Sequence, residues 1–281
     1  IGKAIDGFSS GETFFIYVDY GGEEKEYRVK KEEYLQTFVK YYDESGEYGF
    51  LSDDGKKVDF KRTGENVSYP IKDDKVAVID YDSFSGNGSG LTGSVAQFEE
   101  ALDRFSVDGR ENLVIDLRNN TGGFVNVMCS IARLLIKAEN GKSADGMIVT
   151  DSKGRKNYYQ TGEVVSNKYG VKKIAVLANG MSASASEALI GCLLDYNASS
   201  VKVLLEKNSD GSYKTYGKGI MQTTYPTPQG GAIKLTTAKI YWPKSGICIH
   251  LKGVTEETDS RVIKESGDGR CFSDALKTFE N

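Results

Sequence analysis

The chain has 281 residues, with 36 basic and 40 acidic side chains that give a net charge of −4. Its hydrophobic content of 39% and charged content of 27% are ordinary for a soluble globular protein. Nothing in this balance resembles a basic nucleic-acid-binding face, and no apolar run approaches the roughly 20 residues of a membrane-spanning helix. Because the first residue is Ile1, we expect any secretion leader to lie before this chain.

Histidine and cysteine usage limits the chemistry further. A catalytic site that needs histidine must use His250, the single histidine of the chain, and sites with two or three histidine ligands cannot form within it. No two of the four cysteines have CxxC spacing, which argues against zinc. We expect Cys129 and Cys192 to be buried thiols, whereas Cys248 and Cys271 could pair in an oxidising compartment.

Residues 1–74 are predicted to form a smaller, strand-rich N-terminal region. Thr13–Tyr20 and Glu26–Lys30 alternate as strands do, and Gly21-Gly22 between them favours a hairpin turn. Asp53-Asp54-Gly55 is typical of a second turn.

From residue 75 to residue 281 the pattern changes to strands that alternate with helices. The predicted strands are Val76–Ile79, Leu113–Leu117, Ile174–Ala178, Val201–Leu205 and the extended segment Ala232–Tyr241. The predicted helices are Ser94–Phe105, Phe124–Lys137, Ala185–Asp195 and Asp274–Phe279. Such alternation predicts an α/β core whose sheet is covered on its faces.

A serine-rich turn follows the strand Ile174–Ala178. After Asn179-Gly180 come Ser182, Ser184 and Glu187, at the start of a predicted helix. A serine placed there lies near free backbone N–H groups and the positive end of the helix dipole, which suits a nucleophile whose reaction creates an oxyanion. Ser184 and Glu187 also have the spacing of a capping box, so the local pattern alone favours helix capping.

A glycine-rich turn follows the preceding strand of the core. Gly122 and Gly123 can present N–H groups to an anion, but the local pattern alone favours a tight turn that only needs the flexibility of glycine. Asp116, Arg118 and Asn119 are candidates for catalysis, although a set of hydrogen bonds that stabilises the turn is favoured for them.

A lysine between two glycines forms the third candidate segment. A lysine that acts as a general base must be neutral, so it needs a desolvated position that lowers its pKa. Gly217 and Gly219 would let the backbone bring Lys218 into such a crowded position, and Gln222 follows four residues later, where it could orient the base.

Together these segments resemble the tail-specific, or C-terminal processing, protease family of serine peptidases. The resemblance runs in order from about Lys75 to the C-terminus, and several ordered motifs carry it. The motifs are DLRNNTGG at 116–123, SASASE at 182–187, YGKGIMQ at 216–222, LTTAKIYWPKSG at 235–246 and HLKGV at 250–254.

The resemblance implies roles for the reacting groups. The middle serine of SASAS, Ser184, is implied as the nucleophile, Lys218 as the general base and Gln222 as the residue that orients the lysine. A histidine-free serine enzyme needs another base, and lysine is a known substitute. His250 lies in a segment that the family keeps outside the chemistry.

The resemblance also implies the supporting groups and the fold. The oxyanion hole is assigned to backbone N–H groups of Gly122 or Gly123 and of Ala185, and Asp195 is assigned a supporting role. The implied fold is a crotonase-like α/β core, and the chemistry needs neither a metal nor an organic cofactor.

Three departures from the family pattern stand out. A polar insertion at 206–213 (EKNSDGSY) lengthens the stretch between the second and third motifs, which predicts a hairpin or flap at the rim of the site. Residues 7–31 resemble the last strands of a PDZ domain, and a short unrelated cap is the alternative. Within the first motif, Thr121 replaces the proline of the family.

The sequence thus predicts a serine endopeptidase that cleaves protein or peptide substrates near flexible C-terminal tails. A non-catalytic peptide-binding protein on the same scaffold is the alternative. The resemblance favours an extracytoplasmic bacterial enzyme, with an oligomer permitted and neither nucleic acid nor stable membrane insertion expected.

Overall fold

The computed structural model describes residues 11–31, 35–52, 58–85, 93–165, 168–228 and 230–280. The chain divides into two compact units. The first comprises Ile1–Gln36 and Phe50–Asp59, and the second comprises Thr37–Gly49 and Phe60–Asn281. The predicted boundary between residues 74 and 75 stays a prediction, although residues 60–74 group here with the core.

The first unit contains the predicted hairpin. Strands β1 (Thr13–Tyr20) and β2 (Glu23–Lys30) pair antiparallel. Gly21 and Gly22 between them have φ angles of 66° and 89°, which glycine adopts without a steric penalty. The hairpin is therefore confirmed, while the turn predicted at residues 53–55 lies outside the described residues.

Twelve further strands complete the described part of the chain. They are β3 (Val39–Asp43), β4 (Gly46–Ser52), β5 (Val58–Gly64), β6 (Val76–Tyr81), β7 (Asn112–Asp116), β8 (Ser143–Asp151), β9 (Lys156–Glu163), β10 (Lys173–Ala178), β11 (Val201–Leu205), β12 (Ile220–Pro226), β13 (Ala232–Tyr241) and β14 (Val262–Lys264). The helices are α1 (Ser94–Val107), α2 (Val125–Leu135), α3 (Ala185–Tyr196) and α4 (Cys271–Lys277), with a 3₁₀ turn at Ala198–Ser200.

An eight-stranded sheet with the order β14-β11-β10-β7-β6-β3-β4-β5 forms the centre of the second unit. Strands β6, β7, β10, β11 and β14 run parallel to one another, and β3 pairs antiparallel with β6. The side chains of Leu113, Val114 and Ile115 in β7 are all fully buried. A continuous apolar run is what a parallel strand covered on both faces requires, so the α/β core is confirmed.

Helix α3 is apolar on all sides because it lies between two sheets. It packs against β11 of the large sheet, against β8 of a second sheet and against α2. All ten residues from Ala185 to Leu194 are buried. A helix without a polar face is expected only in such a covered position, and this position holds its N-terminus, next to Ser184, in a fixed place.

A second sheet, with the order β12-β13-β8-β9, is antiparallel. Three of its strands (β8, β9 and β12) were not predicted. Strands β9 and β12 are largely exposed, and the apolar run of β8 is limited to Met147, Ile148 and Val149, which is short for a strand signal. No helix in the described ranges is long and apolar enough to cross a membrane.

Candidate active site

Two strand-to-helix turns meet at one edge of the large sheet. Strand β7 ends at Asp116 and its parallel neighbour β10 ends at Ala178, and Asp116 is in register with Leu177. Carboxyl ends of parallel strands face the same edge of a sheet, which is where open α/β sheets bind ligands. The turn 117–123 and the turn 179–184 therefore lie side by side.

Hydrogen bonds fix the two turns to each other. The Ala183 N–H donates to the Asn120 carbonyl at 3.0 Å, and the Ser186 hydroxyl donates to the same carbonyl at 2.8 Å. The Ser182 hydroxyl donates to the Leu117 carbonyl at 2.7 Å. The first and third serines of the SASAS motif, Ser182 and Ser186, are buried, and their hydroxyls hold the two turns together. The hydroxyl of the middle serine, Ser184, makes no such bond to the described residues of the first turn.

The polar residues of the first turn form ion pairs and turn hydrogen bonds. Arg118 makes salt bridges of 2.6 Å to Asp116 and to Glu206. The Asn119 N–H donates to Asn179 Oδ1 at 3.1 Å. These contacts stabilise the turn, as the sequence favoured, and they join three successive parallel strands of the sheet at their carboxyl ends.

Ser184 has a strained backbone. Its φ of 59° and ψ of −112° lie outside the regions that L-residues ordinarily adopt. A residue held in such a conformation costs about 1–3 kcal/mol, which the surrounding structure must offset, and such residues cluster at functional sites. The strained residue, Ser184, lies directly before Ala185, the first residue of α3.

Gly122 packs against the turn that carries Ser184 so closely that no side chain fits there. A Cβ at this position would lie 2.6 Å from the Ala183 carbonyl oxygen and 2.9 Å from Ser184 Cβ. The φ of Gly122, 98°, also favours glycine. The two motifs that the sequence placed about 60 residues apart are thus in direct contact at Ser184.

The three candidate oxyanion donors differ in their availability. The Gly122 N–H donates to Asn120 Oδ1 at 2.9 Å. By contrast, the N–H groups of Gly123 and Ala185 have no acceptor among the described residues. Ala185 is the first residue of α3, where an N–H has no partner within the helix. Gly123 and Ala185 are therefore better placed than Gly122 to bind an oxyanion.

A buried carboxylate links the serine motif to the lysine motif. Glu187 Oε2 accepts hydrogen bonds of 2.9 Å from the N–H of Ser184 and from the N–H of Lys218. Glu187 Oε1 accepts from the Gly217 N–H at 2.7 Å and from the Thr215 hydroxyl at 2.5 Å. The backbone nitrogens of Ser184 and Lys218 each lie 2.9 Å from the same Glu187 oxygen. The distance between these two nitrogens therefore cannot exceed the sum of the two hydrogen-bond lengths.

Burial and hydrogen bonding act on Glu187 in opposite directions. Burial raises the pKa of its carboxyl group, and the four donated hydrogen bonds lower it, with burial the larger effect. The side chain is fully buried. The spacing of Ser184 and Glu187 had favoured helix capping, and the structure contains this capping box: Glu187 accepts from the Ser184 N–H, and the Ser184 side chain faces the Glu187 N–H. The link from Glu187 to Lys218 is long-range and could not be foreseen from spacing.

The glycines around Lys218 are required by the segment behind them. A Cβ at Gly217 would lie 2.9 Å from the Gly253 nitrogen, and a Cβ at Gly219 would lie 2.6 Å from the His250 nitrogen. The segment that contains the only histidine of the sequence therefore passes behind the lysine, and its backbone supports the lysine loop. Lys218 itself is half-buried.

Of the predicted Ser184–Lys218–Gln222 set, the structure brings the backbones of Ser184 and Lys218 close together but does not join the three side chains. No hydrogen bond among the described residues connects the Ser184 hydroxyl, the Lys218 amine and the Gln222 amide. Gln222 is exposed on β12, beside a register shift between Met221 and Gln222. Catalytic hydrogen bonds are often long in unliganded enzymes, so these roles stay predictions.

Asp195 lies far from the reacting groups. It is near the C-terminus of α3, whose 12 residues place it roughly 15 Å along the axis from Ser184. Its Oδ2 accepts hydrogen bonds from the N–H groups of Lys244 at 2.7 Å and Ser245 at 3.0 Å. It thereby stabilises the turn after β13.

The insertion at 206–213 folds as a compact turn beside the site. Asn208 is its anchor, because its Oδ1 accepts from the Gly180 N–H at 2.6 Å and its amide donates to the Lys214 carbonyl at 3.0 Å. A pocket of about 430 Å³ lies between this turn, Met181 and Tyr216. The sequence had predicted a hairpin or flap, and it did not reveal the attachment to Gly180.

The described residues place no metal-binding chemistry at this edge. All four cysteines are free, with Cys129, Cys192 and Cys271 buried and Cys248 half-buried. No group of three or more histidine, cysteine or acidic residues that could hold a metal ion occurs among the residues the structure describes.

A strained serine at a helix N-terminus, two available N–H groups beside it and a lysine held nearby form a site of the serine-hydrolase class on an α/β core. Comparison with known proteins gives the family. The family model "Peptidase family S41" matches residues 75–260, and the chain belongs to this family.

Curated relatives agree with this assignment. The "Probable CtpA-like serine protease" of Staphylococcus aureus (strain N315) is 31% identical over 246 residues, which cover 85% of this chain and 38% of that protein. The protein of the same name from Staphylococcus haemolyticus is 32% identical over 195 residues, which cover 69% of this chain and 35% of that protein. The chain thus spans less than two fifths of the length of these relatives.

Solved structures share the fold. The photosystem II D1 C-terminal processing protease superposes with a TM-score of 0.56 at 21% identity, covering 91% of this chain and 56% of that one. A putative S41 protease from Bacteroides fragilis gives a TM-score of 0.54 at 16% identity, covering 95% of this chain and 65% of that one.

Proposed function

We propose that this protein is a serine endopeptidase in which Ser184 is the nucleophile and Lys218 is the general base. Ser184 Oγ attacks the scissile carbonyl carbon while neutral Lys218 accepts the hydroxyl proton. The N–H groups of Gly123 and Ala185 bind the oxyanion. Lys218 then protonates the leaving amine, and a water molecule activated by Lys218 hydrolyses the acyl-enzyme to regenerate Ser184.

One observation supports this proposal above the others: the shared Glu187 carboxylate. It holds the backbones of Ser184 and Lys218 on a single oxygen, although the two residues are far apart in sequence. Because both backbone N–H groups are bound to this oxygen, the Ser184 and Lys218 side chains start from neighbouring points of the site. Preorganisation of this kind is how an enzyme avoids reorganisation during the reaction.

The proposed substrates are flexible protein segments, in particular C-terminal tails. The S41 family model and the names of the CtpA-like relatives support a peptidase. The structural likeness to the photosystem II D1 C-terminal processing protease fits cleavage near chain ends. We further propose that the protein acts outside the cytoplasm, because another protein of this fold is a lipoprotein from Streptococcus agalactiae.

The test is cleavage of casein by the parent, by Ser184→Ala and by Lys218→Ala. We expect each variant to lose at least a hundredfold in kcat/KM with unchanged thermal unfolding, because each removes a group that acts only in the chemical steps. Asp210→Ala, at the tip of the insertion turn, is the control and should stay within about twofold of the parent. A variant of Ser184 or Lys218 that cleaves casein like the parent would refute the mechanism.

The non-catalytic alternative has one observation in its favour, which is that Ser184, Lys218 and Gln222 are not hydrogen-bonded to one another among the described residues. It predicts that the parent binds casein peptides without cleaving them. Product analysis by mass spectrometry in the same assay separates the two functions.

A further inference from the structure

Strand β12 leaves the candidate site as a sheet edge. Its first residue, Ile220, follows Lys218 by two positions. Within the part of the chain that the structure describes, β12 pairs with β13 on one side and forms the outer edge of its sheet on the other. Such an edge carries unpaired backbone N–H and C=O groups, which an extended polypeptide can satisfy.

Two hydrogen bonds show which residues of β12 face the free edge. Near its start the Ile240 N–H donates to the Gly219 carbonyl at 2.9 Å, and beyond its end the Thr227 N–H donates to the Gly231 carbonyl at 2.8 Å. In an antiparallel pair, bonded and non-bonded residues alternate. Gly219 and Thr227 are both odd-numbered, so the odd-numbered residues between them also direct their backbone N–H and C=O groups towards β13.

The even-numbered residues Ile220, Gln222 and Thr224 therefore direct their backbone N–H and C=O groups away from the sheet. Pro226, the next in the series, has no N–H, and proline is tolerated in strands at such outward positions. The free run thus ends at Thr224, so its unpaired groups are concentrated at the end of β12 that adjoins Lys218.

A groove lies along the same strand. A pocket of about 420 Å³ on one face of this sheet is lined by Met221, Thr223 and Tyr225 of β12 and extends to Val149 of β8 and Asn157 of β9. Tyr225 is 48% exposed. Alternate side chains of a strand added at this edge would point to the same face of the sheet and lie beside Met221, Thr223 and Tyr225.

We propose that β12 is the docking strand for the substrate, which binds as an extended polypeptide paired with the backbone of Ile220, Gln222 and Thr224. The inference rests on the proposed function and deepens it. Because β12 is continuous with Lys218, a chain aligned along this edge is led to the candidate dyad. A folded segment cannot present its backbone in this way, so the edge selects unstructured substrates.

The first test removes one outward N–H from the protein. Thr224→Pro deletes the N–H that faces the edge and leaves the bonds to β13, whereas Thr224→Ala keeps the N–H and changes only the side chain. With a fluorescent peptide from an unstructured stretch of casein, and with Ser184→Ala as the background for both variants, we expect roughly fivefold weaker binding for Thr224→Pro and an unchanged Kd for Thr224→Ala. Equal affinities for the two variants would overturn the proposal.

The second test alters the peptide and leaves the β12 sequence unchanged. Single N-methyl groups placed along the same peptide should weaken its binding to Ser184→Ala at every second position over the paired stretch. A uniform effect, or no effect, would contradict strand pairing. Self-association through β12, seen as a concentration-dependent mass that Thr224→Pro abolishes, would assign the edge to a second copy and also overturn the proposal.

Both tests measure binding to a chain without the nucleophile, so they are independent of catalysis. A parent chain that binds the peptide with period-two sensitivity and leaves it intact would disprove the proposed peptidase and uphold the docking strand. A parent that cleaves the peptide without period-two sensitivity would uphold the proposed peptidase and disprove the docking strand.

Discussion

At the scale of single residues, the candidate site is held in place by residues that have no proposed role in the reaction. Ser182 and Ser186 bind the neighbouring turn, and Asn120 receives both the Ala183 N–H and the Ser186 hydroxyl. Glu187 then fixes the lysine loop to the serine turn. The strained backbone of Ser184 persists because hydrogen bonds fix the residues on both sides of it.

Gly122 gives a direct test of this packing. Gly122→Ala must place a Cβ 2.6 Å from the Ala183 carbonyl oxygen, so the turn that carries Ser184 has to move. We expect at least a tenfold loss of kcat/KM on casein and a loss of about 2–4 kcal/mol in the free energy of unfolding, measured by urea denaturation.

The matched control for this variant is Gly109→Ala. Gly109 also has a positive φ, 66°, but a Cβ there meets nothing within 4 Å. It should cost about 1 kcal/mol of stability and leave kcat/KM unchanged. If both variants kept full activity, close contact between the two turns would not matter for catalysis.

At the scale of elements, two neighbouring strands carry an acidic residue at or next to their carboxyl ends. Asp80 of β6 and Asp116 of β7 are in register, so their side chains share one face. Asp116 is compensated by Arg118 and by the Tyr69 hydroxyl, which donates to it at 2.8 Å. Burial, and then the Asp116 charge, raise the pKa of the Asp80 carboxyl to about 7.

This raised pKa predicts how stability depends on pH. Between about pH 4 and pH 7 the folded protein keeps a proton on Asp80 that the unfolded chain has released, so the free energy of unfolding falls as the pH rises through that interval. Asp80→Asn removes the titration, and we expect it to be more stable than the parent at pH 8 by roughly 1–3 kcal/mol.

Chemical denaturation at about pH 5 and about pH 8 checks this prediction. Asp259→Asn is the control, because hydrogen bonds from Arg261 lower the pKa of Asp259 and removal of its charge should give no gain at the higher pH. An Asp80→Asn variant that is less stable than the parent at the higher pH would contradict the assigned direction.

The elements also show how far the sequence could be read. The alternating apolar segments predicted the strands β7, β10 and β11 and the helices α1 to α3 within a few residues, because buried elements carry a strong periodic signal. Strand β9 was missed because its exposed polar side chains carry no such signal, and β8 because its apolar run is only three residues long, Met147 to Val149. Their pairing depends on a sheet that forms only in the tertiary structure.

At the scale of the whole molecule, the ordered motifs located the site and the topology explains why. Parallel strands bring the turns after β7 and β10 to one edge, so motifs distant in sequence converge there. Spacing could not reveal the partners that fix the motifs in place. The bond from Asn208 to Gly180 and the bond from Glu187 to Lys218 both join segments more than 25 residues apart.

The structure fixes the backbones of Ser184 and Lys218 but does not join their side chains. The backbones of Ser184 and Lys218 are adjacent, but their side chains are not hydrogen-bonded among the described residues. Gln222 belongs to the edge strand β12, whose backbone we infer to bind substrate. Pairing of a substrate with β12 would therefore act on the strand that carries Gln222, and would couple docking to the orientation of Lys218.

The central claim, that Ser184 is a nucleophile activated by Lys218, is tested most directly by capture of the covalent intermediate. The parent, incubated with a fluorophosphonate and digested, should carry the adduct on the peptide that contains Ser184, and the rate of labelling should fall at least tenfold in Lys218→Ala. An adduct on another residue, or equal labelling rates for the parent and Lys218→Ala, would contradict it.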